Sequence, residues 1–220
     1  MIRQGFVLTP SGPSVQKEAT GEFLGTALMV CGGCGSVALG AEHGLVSFSF
    51  GAVVTLAILM FGPFSGAHIN PAVSVAFWRD GQLEGRLVPV YLLAQFLGGV
   101  AGAVVVGGAA PTTLEPSLTL LEGFAVEVVI TVVLMTSILW IVQRTSSRPR
   151  VAVWVGATVG VLAFLAGPLT GASMNPARTF GPAALNGLWA TLPFYFAATM
   201  LGAWLACDVK RRFFPDDVRT

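Results

Sequence analysis

The sequence predicts an all-α membrane protein of six transmembrane helices and two re-entrant half-helices, arranged as an inverted repeat. Three observations carry that prediction. Only 10% of the 220 residues are charged and 54% are hydrophobic, with a mean hydropathy of +0.77, whereas a soluble domain carries about 25% charged residues. The apolar residues gather into six segments near 19–40, 45–62, 87–108, 119–143, 151–167 and 188–207, each close to the length that a tilted helix needs to cross a bilayer. Finally, the chain repeats itself at an offset of 105 residues. GPFSGAHINPAV, residues 62–73, lies over GPLTGASMNPAR, residues 167–178, with seven of twelve positions identical.

Each element follows in order. Residues 1–17 hold two prolines and no sustained apolar core, so they read as an N-terminal tail and not as a secretory signal. Residues 18–207 form one transmembrane domain, and 208–220 a C-terminal tail. Basic residues accumulate in loops that stay in the cytoplasm. Arg3, Lys17, Arg79, Arg86, Arg144, Arg148, Arg150, Lys210, Arg211, Arg212 and Arg219 all fall on one side of the six spans, with both termini. The expectation is a cell-membrane protein with both termini cytoplasmic. The clusters at 144–150 and 210–212 read as topology determinants that also touch lipid headgroups. Arg178 is the one basic residue on the opposite side.

A formal charge of +1 argues against a nucleic-acid surface, and two histidines with three cysteines leave little for a metal centre. No nucleophile and base pair appears, so no enzyme activity and no cofactor is expected. Cys31 and Cys34, in CGGCG, match a redox CxxC only by letters; within a small-residue helix they read as close packing.

The offset of 105 also pairs Glu22 with Glu127, Gly51 with Gly156 and Ala52 with Ala157. The chain is therefore a duplicated unit of three spans, about 18–108 and 119–207. Three is odd, so the second copy enters the membrane inverted. In each copy an Asn-Pro pair precedes a short helical stretch, AVSVAFW after Pro71 and ARTFGPAAL after Pro176. Proline is tolerated in the first helical turn and Asn is a preferred N-cap, so Asn70 and Asn175 should cap half-helices of about ten residues. Two such half-helices, about 15 Å each and entering from opposite faces, would meet near the bilayer midplane. Their non-helical approaches must be buried or line a watery passage.

These residues resemble a known family. Asn70-Pro71-Ala72 and Asn175-Pro176-Ala177, the preceding SGAHI and TGASM, Arg178 after the second motif, and the glutamates of spans one and four are similar to those of the aquaporins, or major intrinsic proteins, in particular the short bacterial type. The resemblance covers residues 18–207. It implies a homotetramer in which each subunit has its own pore, passing water or small uncharged solutes through the lipid bilayer without ion coupling. Asn70 and Asn175 would then offer amide donors to a passing oxygen, beside two half-helix N-termini whose dipoles repel cations and protons. Glu22 and Glu127, each 48 residues before its Asn, would brace the re-entrant loops. The other reading of these carboxylates is a proton relay in an ion-coupled secondary transporter. His68 would hydrogen-bond within its loop, the alternative being a pH gate.

The resemblance also places an outer selectivity filter at Phe50, Ala163, Ala172 and Arg178. Water-selective members carry His where this chain has Ala163. Glycerol-conducting members carry Trp where it has Phe50, and Asp where it has Thr179. One aromatic wall, two alanines and one cation describe a filter wider than a strict water filter, so glycerol, urea, hydrogen peroxide or uncharged metalloid hydroxides are expected beside water. A shift of one residue in span five would turn Phe164 to the pore in place of Ala163.

Overall fold

The computed structural model describes residues 15–215, and among them every regular element is helical. The rest of the two expected tails, with Arg3 and Arg219, lies outside the described residues. The helices are α1 (Val15–Ala38), α2 (His43–Ser65), α3 (Pro71–Arg79), α4 (Val88–Val105), α5 (Leu120–Arg144), α6 (Arg148–Thr170), α7 (Pro176–Leu185) and α8 (Leu192–Phe213). Single 3-10 turns, Gly85–Leu87 and Trp189–Thr191, lead into α4 and α8. All helices but α3 and α7 are long and apolar enough to cross a membrane. The protein is thus an integral membrane protein of six spans and two half-helices.

Two boundaries move for one physical reason. Spans expected to stop before Pro63 and Pro168 continue to Ser65 and Thr170. A proline in the final turn removes a single ladder bond, and the orphan it creates is the carbonyl four residues back. At Pro168 that carbonyl belongs to Phe164, and His43 Nε2 bonds to it at 2.8 Å. The His43 ring also stacks on Phe164, with centroids 5.2 Å apart. Each helix then ends on a left-handed glycine, Gly66 or Gly171.

The repeats pack on each other through α2 and α6. A Cβ on Gly51 would lie 2.6 Å from the carbonyl oxygen of Gly156, its own repeat mate, so this contact sits on the pseudo-two-fold axis. Within each repeat the first and third spans approach through Gly98 against the Phe23 carbonyl, and Gly202 against the Val128 carbonyl. Those two glycines are 104 residues apart, not 105. The slip lies between half-helix and third span: α3 and its connection take residues 71–84, α7 and its connection only 176–188.

The two connections are also held differently. Asp80 and Lys210 form an ion pair at 2.8 Å with side chains 4% and 3% exposed, while Arg79 pairs with Asp208 at 2.7 Å and lies over the Trp204 ring. Residues 208–213, expected in the tail, are therefore the last turns of α8, fastened to the end of α3. Residues 15–17, also expected in a tail, are the first turn of α1. At the end of α7, Asn186 Nδ2 instead reaches the Gly108 carbonyl at 2.8 Å.

Candidate functional site

The local sequence dictates the two re-entrant loops. Asn70 Oδ1 accepts the Ala72 amide at 2.8 Å, and Asn175 Oδ1 accepts those of Ala177 and Arg178 at 2.9 and 3.3 Å, with proline next in the chain. Both half-helices are thus capped as expected. The approach to each cap is contorted: Gly66, Ala67 and Ile69, and likewise Gly171, Ala172 and Met174, have φ between 43° and 85°. Left-handed backbone costs a non-glycine residue about 1–3 kcal/mol, so four such residues need an external hold.

Glu22 and Glu127 supply that hold. Glu22 Oε1 accepts from Ser65 Oγ (2.7 Å) and the His68 amide (2.9 Å); Oε2 accepts from the Ile69 amide and Gln95 Nε2, both at 2.7 Å. Glu127 Oε1 accepts from Thr170 Oγ1 (2.6 Å) and the Ser173 amide (2.8 Å), and Oε2 from the Met174 amide (3.1 Å). Both carboxylates are fully buried, and each holds two backbone amides of its loop. Neither lines the cavity, so the ion-coupled reading of these residues finds no support. Tyr91 and Tyr195 hydroxyls close the last carbonyls of α2 and α6, at Ser65 and Thr170.

His68 joins this bracing through its amide. Its Nδ1 lies 3.1 Å from Ser74 Oγ, which Gln95 Nε2 also reaches at 2.9 Å, and its ring packs on Phe77 and Tyr91. Nε2 is buried without a partner. The ring also borders the cavity between the two loops.

Between the loops runs a cavity of about 300 Å³ lined from both repeats. Asn70 and Asn175 face it, and each donates to the opposite loop: Asn70 Nδ2 to the Met174 carbonyl at 2.8 Å, Asn175 Nδ2 to the Ile69 carbonyl at 2.9 Å. An amide nitrogen has two hydrogens, so each Asn keeps one beyond this cross-loop bond. For Asn175 the nearest further acceptor is the weak one of Met29 Sδ, at 3.6 Å.

Phe50, Ala163, Ala172 and Arg178 line the same cavity together. Phe164 does not: it is 54% exposed on the outside of α6, which fixes Ala163 as the residue turned inward. Arg178 donates to the Ala110 carbonyl at 2.7 Å and holds its guanidinium 5.1 Å from the Phe50 ring centre. Cys31, Cys34 and Cys207 are off the cavity wall.

Some contributors were not read from the sequence. The connection 106–119 folds inward: Ala110 anchors Arg178, Thr112 Oγ1 meets Thr179 Oγ1 at 3.2 Å, and Pro111 and Thr113 line the cavity. It lacks periodicity, so nothing marked it. Gln95 and Tyr91 did leave a signal, as the two hydrogen-bonding side chains of an otherwise apolar span.

The sequence profile of the family described as Major intrinsic protein matches residues 11–209. The chain is 34% identical to the glycerol uptake facilitator protein of Pseudomonas aeruginosa, over 83% of this chain and 79% of that one. It is 35% identical to aquaporin-4 of Mus musculus, over 92% and 68%. Its fold matches the X-ray structure of the aquaglyceroporin from Plasmodium falciparum with a TM-score of 0.84, covering 91% of this chain and 97% of that one at 24% identity. The capped half-helices, the doubled Asn-Pro-Ala motif and these matches agree: the chain belongs to the major intrinsic protein family, whose members are passive channels.

Proposed function

We propose that this protein is a passive pore for water and for small neutral solutes such as glycerol, closed to ions and protons. Its relatives include proteins named for glycerol uptake and for water conduction, and the cavity chemistry supports both. The observation that carries the wider reading is the outer quartet: Ala163 and Ala172 stand beside the Phe50 ring and leave open the space that larger side chains would fill. Urea, hydrogen peroxide and uncharged metalloid hydroxides belong to the same size class. Arg178 offers donors to a hydroxyl or carbonyl oxygen and repels cations.

In this reading Asn70-Pro71-Ala72 and Asn175-Pro176-Ala177 form the midplane. Each Asn gives its second hydrogen to a passing oxygen, and the two helix N-termini add positive dipole ends there. Glu22, Glu127 and His68 keep the loops in place. The working form is a homotetramer in the cell membrane with both termini in the cytoplasm, one domain per subunit; chemical crosslinking of vesicles to a four-subunit band tests the assembly.

Paired stopped-flow traces on proteoliposomes, one with an impermeant osmolyte and one with glycerol, test the solute reading. The parent should pass both water and glycerol. Ala163→His adds a ring and a donor to the constriction and should lower the glycerol-to-water ratio about tenfold while water still passes, in line with the discrimination one added group gives a snug site. A parent that excludes glycerol refutes the wide constriction.

A further inference from the structure

Gly33 lies on α1 and contributes no side chain to the cavity wall, yet it touches the outer quartet from behind. A Cβ built on Gly33 would fall onto Cδ1, Cε1 and Cζ of the Phe50 ring, closer than non-bonded atoms approach. The ring is therefore seated against the bare backbone of α1. The Arg178 guanidinium lies beside it, 5.1 Å from the ring centre. With α1 behind and Arg178 beside it, the space left to the ring is the cavity that Ala163 and Ala172 leave open.

The other end of the cavity makes the opposite choice. The repeat mates of Gly33 and Phe50 are Ile138 and Val155, and both line the cavity. There both helices carry a branched aliphatic side chain, the larger, Ile138, on the first span of the repeat and the smaller, Val155, on the second. The bulk that Phe50 concentrates on the second span is divided between the two helices at the other end, as expected if each pair must share a limited volume.

We propose that Gly33 is a positioning residue that sets solute specificity: it seats the Phe50 ring against α1 and so keeps the outer constriction open. The proposal rests on the wide-constriction reading given above. Gly33 is an interior helical residue without a left-handed φ, so an alanine there meets no backbone objection and gains about 1 kcal/mol of helix propensity. What Gly33→Ala changes is the seat of the ring.

The test uses the full chain in proteoliposomes and four proteins: parent, Gly33→Ala, Phe50→Ala and the double variant. Gly33→Ala should lower the glycerol-to-water permeability ratio about tenfold by pushing the ring into the constriction. In the Phe50→Ala background the same substitution should leave the ratio unchanged. A ratio like the parent's in Gly33→Ala, or an equal fall in both backgrounds, overturns the proposal. If Gly33→Ala does not fold, the double variant decides: recovered folded yield supports the clash with Phe50, and failure of both overturns it. A parent impermeable to glycerol refutes the wide constriction instead, and Gly33 is then judged on water flux, which should fall in Gly33→Ala and not fall further when Phe50 is alanine.

Discussion

At one end of the cavity stand Phe50, Ala163, Ala172 and Arg178; at the other stand their repeat mates Val155, Ile58, Ala67 and Val73, and all eight line it. The first four include an aromatic face and a cation, whereas their four mates are all aliphatic. What the two ends share is the backbone: left-handed φ at Ala67 and Ala172, an Asn cap, a buried glutamate, a tyrosine on the last helical carbonyl. The shared features are those a re-entrant loop cannot form without. Chemical selection needs to be made only once along a file of solutes, so one repeat is free to lose it. The bracing differs too, since Glu22 serves four donors and Glu127 three.

That difference sets the largest expected effect. A glutamine replaces one carboxylate oxygen by a donor. In Glu22→Gln the amide nitrogen opposes the His68 amide in one orientation and the Ile69 amide in the other, and Ser65 Oγ or the Gln95 amide must also turn to accept from it, whereas in Glu127→Gln the amide nitrogen can take the place of Oε2 and oppose only the Met174 amide. Hydrogen bonds to charged groups contribute about 1.5–3 kcal/mol each, so Glu22→Gln should be the less stable variant by about one such bond. Thermal unfolding of the two in the same detergent measures it. Equal losses would mean that Gln95 adds nothing to the first brace.

Arg178→Val comes next, because it makes the selective end resemble its mate at Val73. The guanidinium donors and the tether to Ala110 disappear together. The glycerol-to-water ratio should rise about tenfold and a cation leak should appear, read by a potential-sensitive dye in the same vesicles. An unchanged ratio would place the constriction elsewhere in the cavity.

Much of this comparison is legible in the sequence, and the part that is not has a physical reason. Seven identities in twelve residues placed the half-helices, because a strained loop leaves few residue types free to vary. The apolar segments marked the spans, since lipid rejects charge wherever it falls. The register of the third spans was not legible at an offset of 105: those helices meet the first spans through Gly98 and Gly202 and the ends of α2 and α6 through Tyr91 and Tyr195, and the slip to 104 hides in connections that have no shared motif. The seat of Phe50 on Gly33 was invisible for a different reason. A glycine in a helix says that something is close, and only the fold says what.

The smallest effect tests that slip. Tyr91 Oη donates to the Ser65 carbonyl at 2.7 Å and Tyr195 Oη to the Thr170 carbonyl at 2.9 Å. Ser65 and Thr170 are 105 residues apart, the tyrosines 104, so the shorter connection before α8 must return the second hydroxyl to an equivalent carbonyl. Tyr91→Phe and Tyr195→Phe each leave a buried helix-end carbonyl without its donor, a loss of about 1–3 kcal/mol, and remove no atom from the cavity wall. Both variants should therefore melt earlier by similar amounts and keep the parent's glycerol-to-water ratio. If Tyr195→Phe were destabilised far less than Tyr91→Phe, the second hydroxyl would be a poorer match and the slip would be a strain the repeat tolerates. If either ratio changed, the end of α2 or α6 would be moving the loop that lines the pore, and the two braces would have to be counted as part of the selective end.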